Sequence, residues 1–321
     1  MTRTIDIYMD TGISPPKFID RLRKTFAASF PGDEVILSTT PEQFLARLPA
    51  MQWLLAGHPP RGHWREARAL RLLQGVGAGI DHLLPLDDLP PGVQVANAKG
   101  VSAEPMADFG LALVLALIKR LPLAFTGQRQ HTWRRFQPRS VAGSTLAILG
   151  CGEIGVALAR KAAALGMRVI GTQRRPRPTP PLAATFGLDQ TPQVLAEADI
   201  TVCLLPLTHR TRGFLGPDML AHMKDGSTFV NLARGGIADE VAIAAMLRSG
   251  RLSGAALDVF ATEPLPADSP LWDTPNLLIT PHVAGDFPGF LNEVAPLFAR
   301  NIACVERGEA PITRVDVAEG Y

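Results

Sequence analysis

Short apolar runs alternate with helix-length segments along the whole chain, and this rhythm constrains the fold most strongly. A first set of runs lies at residues 4–9, 34–37, 53–56, 70–76 and 93–96. A second set lies at residues 145–149, 167–172, 200–205, 228–232, 254–259 and 277–280. Because strands joined by long crossover connections pair in parallel, the rhythm predicts parallel α/β sheets, and two sets of runs predict two domains.

Length, charge and cysteine content limit the class of protein. The 321 residues exceed what one hydrophobic core usually supports, and the 32 basic and 30 acidic side chains nearly cancel. We therefore expect no nucleic-acid and no membrane partner. The first ten residues carry acidic side chains where a signal peptide needs an apolar stretch, so we expect a cytoplasmic protein. Cys151, Cys203 and Cys304 are too few for a disulfide framework and too dispersed for a zinc site, so we expect reduced thiols and no metal.

One segment between the two sets is apolar all round. Residues 106–121 read as a long helix, and residues 109–118 within it are uninterrupted by any polar side chain. Such a helix needs burial on every side, which we expect either between the domains or against a second subunit. The pattern does not choose between these two arrangements.

A glycine pattern follows the first strand of the second set. Residues 145–155 read TLAILGCGEIG, which places Gly150, Gly152 and Gly155 in the spacing G-x-G-x-x-G at a strand-to-helix turn. Glycines there allow a tight turn and close approach of a pyrophosphate to the amides of the helix N-terminus. An ordinary turn would also fit a bare glycine triplet, but the strand, helix, strand context favours a dinucleotide site contacted by Gly150, Gly152, Glu153 and Ile154.

The end of the next strand indicates which dinucleotide is preferred. An acidic residue is expected there to bind a ribose 2′-hydroxyl, yet this strand ends at Thr172 and is followed by Gln173, Arg174 and Arg175. A hydroxyl and guanidinium groups suit a 2′-phosphate, so Thr172, Arg174 and Arg175 predict a preference for NADP(H), with NAD(H) possible. The alternative is a solvated basic loop.

Three later strands are followed by residues that suit a catalytic site. Arg234 lies in NLARGG, Glu263 in LDVFATEP and His282 in TPH. Alone, each has an ordinary explanation, as a surface Arg, a loop Glu or a structural His. Because the carboxyl ends of parallel strands line one crevice, we expect the three side chains to converge there.

These motifs carry a resemblance to a known family. Together with GVGAGID, LLPLTHRTRGFL and SPLW, they make residues 70–305 resemble the D-isomer-specific 2-hydroxyacid dehydrogenases. The HPP at 58–60 and the terminal Gly320 and Tyr321 are similar to the bacterial glyoxylate/hydroxypyruvate reductases of the A type. The resemblance implies two Rossmann-like or flavodoxin-like domains, with a dinucleotide-binding domain at 100–285 inserted in a substrate-binding domain at 1–99 and 286–321.

The resemblance also implies roles for single residues. Arg234 would bind the substrate carboxylate, His282 would donate the proton, and Glu263 would pair with His282. The backbone of Val76 and Gly77 would contact the substrate carboxylate. The remaining positions would contact the cofactor. Asp258 would lie near the nicotinamide carboxamide, and Leu205 and Pro206 would form an apolar wall near the adenine. Ala233 and His282 would also contact the cofactor.

Two positions depart from the family pattern. Gly57 stands before His58 where similar proteins carry a bulkier residue, and Asp108 stands where the family more often has Glu. The first departure leaves the size of the substrate pocket open. The segment Trp133, Arg134 and Arg135 has two possible roles: it either reaches the substrate or covers a helix end.

Taken together, the sequence predicts an NADPH-dependent reductase of a small 2-keto acid, glyoxylate or hydroxypyruvate. We expect the active site in a cleft that closes about hinges near Gly100 and Gly285, and a homodimer formed through the helix at 106–121. One alternative is a reductase of larger 2-keto acids such as phenylpyruvate, if Gly57 opens the pocket. Another is a dinucleotide-sensing protein similar to the corepressors that share this fold.

Overall fold

A computed structural model describes residues 2–10 and 16–317 of the chain. The contacts divide the chain into two compact units. One takes in the chain up to Val101 together with the segment from Phe287 onward, and the other is Ser102–Asp286. Gly320 and Tyr321, which carry part of the family resemblance, lie outside the described residues.

The first unit is built on a five-stranded parallel sheet in the order β2-β1-β3-β4-β5. Its elements before residue 102 are β1 (Thr4–Tyr8), α1 (Pro16–Ser29), β2 (Glu34–Ser38), α2 (Pro41–Arg47), β3 (Trp53–Ala56), β4 (Leu72–Gly75) and β5 (Gln94–Ala96). Short 3₁₀ turns lie at Leu48–Ala50 and Trp64–Glu66. Both faces of β1 are buried, since Ile5 and Ile7 pack into one core and Tyr8 into another, as expected for a strand inside a parallel sheet.

The second unit contains a seven-stranded parallel sheet in the order β12-β11-β10-β9-β6-β7-β8. Its strands are β6 (Thr145–Leu149), β7 (Arg168–Thr172), β8 (Ala184–Phe186), β9 (Ile200–Cys203), β10 (Ser227–Asn231), β11 (Leu252–Leu257) and β12 (Leu277–Ile279). Its helices are α3 (Ala103–Ile118), α4 (Leu121–Arg129), α5 (Glu153–Ala164), α6 (Thr191–Glu197), α7 (Pro217–Leu220) and α8 (Glu240–Arg248), with a 3₁₀ turn at Leu188–Gln190. The order reverses at β6, which pairs with β7 on one side and β9 on the other. Ligands of such sheets bind at the carboxyl ends of the strands beside this point.

The last helix, α9 (Phe290–Glu306), belongs to the first unit and packs against α1. Buried side chains at helical spacing on α1, Leu22 and Phe26, share a core with Val294 and Phe298 of α9. The two helices therefore cover the same face of the five-stranded sheet.

The α/β architecture with two parallel sheets is confirmed. Every strand predicted from the apolar runs has a counterpart, with ends shifted by a few residues. The short strand β8 was missed because it follows a proline-rich segment and pairs only with β7, at the edge of the sheet.

The predicted helix at 106–121 begins earlier and ends earlier than expected. It spans Ala103–Ile118, and Arg120 in the left-handed conformation (φ 55°) separates it from α4. The buried residues of α3 lie on one face, which packs against α5, β10 and β11 within the second unit. Over the described ranges, no single helix is long and apolar enough to cross a membrane. The bent pair α3 and α4, at 67° to each other, reaches that length and composition only together.

Candidate active site

The glycine turn after β6 has the geometry that a dinucleotide requires. Gly150 has φ +96°, and a Cβ there would lie 2.8 Å from the Leu204 carbonyl oxygen. A Cβ on Gly155 would lie 3.0 Å from the Gly150 oxygen, so α5 packs directly on the turn. Gly152 is exposed and caps α5, and a Cβ there would meet nothing within 4 Å. Two glycines thus allow close packing, while the third leaves room for a pyrophosphate at the helix N-terminus.

The residues next to these glycines also suit a phosphate. Glu153 is exposed and Ile154 half-buried in the first turn of α5. Burial raises the pKa of Cys151 to about 12, so its thiol is neutral near neutral pH and brings no negative charge to the turn. All three cysteines of the chain are buried free thiols.

The end of β7 supports the glycine turn. Thr172 is buried, and its hydroxyl accepts a hydrogen bond from the Gly150 amide at 3.1 Å. Its carbonyl oxygen accepts from the Cys151 amide at 2.8 Å. The predicted phosphate-binding hydroxyl therefore also holds the turn in place.

The basic loop after β7 is exposed at Arg174 and Arg175. The side chain of Gln173 braces this loop: its amide nitrogen donates to the Cys151 carbonyl at 3.3 Å and to the Thr179 hydroxyl at 3.1 Å. The loop is thus joined to the glycine turn through Gln173. No role for this residue was predicted from the sequence.

The predicted apolar wall follows β9. Leu205 is buried and Pro206 half-buried. The Leu204–Leu205 peptide lies against Gly150, since a Cβ on that glycine would be 3.0 Å from the Leu205 nitrogen. Leu205 and Pro206 therefore border the same turn as the glycines.

The segment after β10 positions Arg234. The buried Asn231 ends the strand, and its side-chain oxygen accepts from the Ala233 amide at 3.1 Å while its side-chain nitrogen donates to the Arg234 carbonyl at 3.4 Å. The Arg234 guanidinium donates to the Ala233 carbonyl at 2.8 Å, and the side chain is half-buried. Asn231 thus shapes the turn that carries the arginine. Its signal in the sequence was its place at the end of a buried strand.

Glu263 and His282 form a direct pair. The His282 Nδ1 atom lies 2.7 Å from Glu263 Oε2, and the other carboxylate oxygen accepts from the Phe260 amide at 2.8 Å. His282 has φ +53°, a left-handed conformation that is uncommon for a non-glycine residue and is often found at functional sites. Because Nδ1 is directed to the carboxylate, Nε2 is the ring atom left for a substrate.

Asp258 holds the segment that carries His282. The Asp258 side chain is buried, and its Oδ1 atom accepts from the Thr280 hydroxyl at 2.6 Å and the Val283 amide at 3.1 Å. Its Oδ2 atom accepts from the Ala284 amide at 3.0 Å. The His282 amide donates to the Asp258 carbonyl at 2.8 Å. Both oxygens are therefore engaged within the protein, which makes this carboxylate an anchor for residues 280–284.

The strand register brings the three predicted side chains to one edge of the sheet. Asn231 of β10 pairs with Leu257 of β11, which pairs with Ile279 of β12. The loops that follow also touch, since a Cβ on Gly235 would lie 1.8 Å from the Phe260 carbonyl oxygen. Arg234 and the Glu263–His282 pair thus project from adjoining loops at the carboxyl ends of neighbouring strands.

The predicted substrate-contacting residues of the first unit follow β4. The Val76 amide donates to the Ala56 carbonyl at 3.2 Å, so it is already used between strand ends. A Cβ on Gly77 would meet nothing within 4 Å. The Gly77 carbonyl accepts from the Ala98 amide at 2.8 Å, so each of the two residues has one backbone group engaged within the first unit.

The missing side chain at Gly57 does not leave an empty space. A Cβ there would lie 2.8 Å from the sulfur of Met9, a residue that is 3% exposed. The other departure, Asp108, lies on α3, and its carboxylate is 2.7 Å from the Lys161 Nζ atom of α5. Trp133 is 95% exposed, so within the described residues it covers no helix end.

Comparisons with known proteins identify the family of this chain. The model of the D-isomer specific 2-hydroxyacid dehydrogenase NAD binding domain matches residues 111–284. A glyoxylate/hydroxypyruvate reductase A of Serratia proteamaculans is 32% identical over 84% of this chain and 87% of its own length. The D-3-phosphoglycerate dehydrogenase of Mycobacterium leprae is 34% identical, and this chain spans only 48% of its length.

Solved structures show the same fold over the whole chain. A D-isomer specific 2-hydroxyacid dehydrogenase from Xanthobacter autotrophicus, in complex with NADPH and MES, has a TM-score of 0.86 and 34% identity and covers 99% of both chains. An NADPH-dependent glyoxylate/hydroxypyruvate reductase from Sinorhizobium meliloti, in complex with NADP and sulfate, has a TM-score of 0.86 and 30% identity over 100% of both chains. The present chain belongs to the D-isomer specific 2-hydroxyacid dehydrogenases, a family of NAD(P)-dependent enzymes.

Proposed function

We propose that this enzyme uses NADPH to reduce a small 2-keto acid, glyoxylate or hydroxypyruvate, to the 2-hydroxy acid. The observation that carries the proposal is the Glu263–His282 pair, 2.7 Å apart, together with the contact between the loop of Glu263 and the loop of Arg234. The similarity to glyoxylate/hydroxypyruvate reductases of Serratia proteamaculans and Sinorhizobium meliloti supports the choice of substrate.

Each side chain has a task in the reduction. The cofactor, when bound, supplies a hydride to the keto carbon. The planar guanidinium of Arg234 binds the substrate carboxylate and polarises the keto group. His282 donates a proton from Nε2 to the developing alkoxide, because Glu263 holds Nδ1 and stabilises the imidazolium.

We also propose that NADP(H) is preferred over NAD(H). Arg174 and Arg175 are exposed beside the glycine turn, and the segment from Ile154 to Leu188 contains no acidic residue that would repel a 2′-phosphate. The complexes of the Xanthobacter and Sinorhizobium relatives contain NADPH and NADP, respectively, which supports this preference.

A substrate panel tests the reaction. Initial rates would be measured for glyoxylate, hydroxypyruvate, pyruvate and phenylpyruvate with NADPH and with NADH. We expect the highest kcat/KM for glyoxylate or hydroxypyruvate with NADPH, and His282→Ala should lower kcat by about 10²- to 10⁴-fold. A loss smaller than tenfold would contradict the role of His282 as proton donor.

The same panel separates the alternatives. Higher kcat/KM for phenylpyruvate would favour a reductase of larger keto acids, although Met9 fills the space beside Gly57 that this alternative requires. Binding of NADPH without turnover of any keto acid would favour a dinucleotide sensor.

We further propose a homodimer formed through α3 and α4. Leu121 and Phe125, four residues apart on α4, are 40% and 53% exposed and present an apolar surface that a second subunit would cover. Light scattering coupled to size-exclusion chromatography should give twice the chain mass of 34.5 kDa. The exchange of Phe125 for Asp should lower that mass, and a monomeric wild type would refute the proposal.

A further inference from the structure

The backbone of two consecutive residues, Phe260 and Ala261, is contacted by three parts of the second unit. The Glu263 carboxylate accepts from the Phe260 amide at 2.8 Å, and the Glu240 carboxylate accepts from the Ala261 amide at 2.6 Å. The Phe260 carbonyl lies directly against Gly235, where a Cβ would be 1.8 Å away. These two residues therefore contact the arginine loop, Glu263 and the start of α8.

Glu240 is not required to cap its own helix. It is the first residue of α8, and the preceding residue, Asp239, is the N-cap, whose side chain accepts from the Ala242 amide at 2.9 Å. The Glu240 carboxylate instead crosses to Ala261, 21 residues further along the chain. This contact, rather than helix capping, explains where its side chain points.

The backbone that precedes Glu240 is held by hydrogen bonds. The Asp239 amide donates to the Leu215 carbonyl at 3.0 Å, and the Leu215 amide donates to the Ile237 carbonyl at 2.9 Å. These bonds hold the backbone immediately before Glu240. The Glu240 carboxylate therefore extends to the Ala261 amide from an anchored backbone.

The Glu240 carboxyl is close enough to Glu263 for the charge of Glu263 to affect its pKa. Its half-buried carboxyl has a raised pKa, mainly because of desolvation, with the nearby charges of Asp239 and Glu263 adding to the rise. The hydrogen bond from Ala261 opposes that rise by stabilising the ionised form. The hydrogen bond from the Ala261 amide thus partly offsets the cost of burying the Glu240 carboxylate, and it links this carboxylate to the loop.

From these contacts we propose that Glu240 is a positioning residue, whose carboxylate holds the Phe260–Ala261 peptide so that Glu263 stays within hydrogen-bonding distance of His282. The proposal rests on the proposed function in one respect, namely that the Glu263–His282 pair serves catalysis. The hydrogen bond of Glu240 goes to the backbone of the loop that carries Glu263, and not to the Glu263 or His282 side chain. Glu240 therefore acts through that backbone.

Two variants of Glu240 separate its hydrogen bond from its charge. Glu240→Ala removes the acceptor, whereas Glu240→Gln keeps a side-chain oxygen of the same reach without the charge. We expect Glu240→Ala to lower kcat about tenfold or more, because displacements near 1 Å at a catalytic group cost up to about 10²-fold. Glu240→Gln should stay within about threefold of wild type, since a neutral acceptor retains much of such a bond.

Asp218→Ala is the matched control. Asp218 is an exposed acidic residue in the first turn of α7 in the same unit. Its removal takes away a carboxylate from a helix N-terminus without touching the Phe260–Ala261 peptide, so kcat should not change. The Kd for NADPH, measured by fluorescence titration, should be unchanged in all three variants because the glycine turn lies elsewhere.

Hydrogen exchange gives a readout that does not depend on turnover. The amides of residues 258–263, followed by mass spectrometry, should exchange faster in Glu240→Ala than in wild type and Glu240→Gln. If no keto acid is reduced by wild type, the proposed function fails, while faster exchange would still uphold the support of this loop by Glu240. Unchanged exchange in Glu240→Ala, or equal kcat in wild type and Glu240→Ala, would overturn the proposal. A kcat in Glu240→Gln as low as in Glu240→Ala would overturn it as well.

Discussion

Gly235 gives the sharpest test of the packing between the arginine and glutamate loops. In Gly235→Ala the new Cβ would lie 1.8 Å from the Phe260 carbonyl oxygen, although Cβ atoms in proteins essentially never approach closer than 3.0 Å. One of the two loops must therefore move by at least about 1.2 Å, the difference between 1.8 and 3.0 Å. The contact atom belongs to the backbone, so no side-chain rotation can relieve it.

A movement of this size is enough to disturb both catalytic loops. Since a displacement of about 1 Å can lower a rate about 10²-fold, we expect kcat/KM for glyoxylate to fall by about that factor in Gly235→Ala. Overpacking of this kind also costs about 1–3 kcal/mol of folding free energy. For a unit of this size, each kcal/mol lowers Tm by about 2–4 °C.

The assay compares Gly235→Ala with Gly216→Ala. At Gly216 a Cβ would meet only the Gly213 carbonyl oxygen, at the ordinary distance of 3.4 Å, so activity should be retained. Initial rates would be measured well below the Tm of each variant, which keeps unfolding out of the comparison. A Gly235→Ala enzyme within threefold of wild type would refute the inferred contact between the loops.

Two further predictions concern cofactor choice and pH. Arg174→Ala combined with Arg175→Ala should raise the KM for NADPH about ten- to hundredfold and the KM for NADH less than threefold, as measured by initial rates. Equal changes for both cofactors would place the phosphate contact elsewhere. Burial raises the pKa of Asp6 above 3.8, against the opposing effect of Arg47 at 2.6 Å, so the folded state binds more protons than the unfolded state in the window above 3.8. The stability contributed by Asp6 is thus lost as the pH rises above 3.8. The Tm of Asp6→Asn should therefore increase relative to that of wild type as the pH is raised from 3.8; a relative increase on lowering the pH would contradict this sign.

The sequence predicted the parts of the molecule that are encoded locally. Apolar runs mark buried strands because side-chain burial follows the strand itself, and the glycine spacing marks a turn whose conformation depends on those same residues. Gly150 shows this most clearly, since its φ of +96° favours a residue without a side chain. The expectation that Arg234, Glu263 and His282 converge came from one general property of parallel sheets, and of these side chains Glu263 and His282 are in direct contact.

Hydrogen bonds between distant segments could not be predicted in the same way. The sequence gives no sign that both Asp258 carboxylate oxygens accept from residues 280–284. Nor does it indicate that the Val76 amide donates to the Ala56 carbonyl. Each of these partners lies about 20 residues or more away in the chain, and no local pattern of residue types records which donor meets which acceptor.

Gly57 shows why comparison at single positions is insufficient to infer the size of a pocket. Its lack of a side chain, taken alone, indicates more room for substrate than in similar proteins. In the structure the Met9 sulfur lies 2.8 Å from the place of the absent Cβ, and the Gly57 amide is fixed by a 2.9 Å hydrogen bond to the Tyr8 carbonyl. A long, flexible thioether from the end of β1 thus occupies volume that a bulkier residue would take from the end of β3. Because close packing conserves volume rather than position, the space available to a substrate depends on Met9 and Gly57 together.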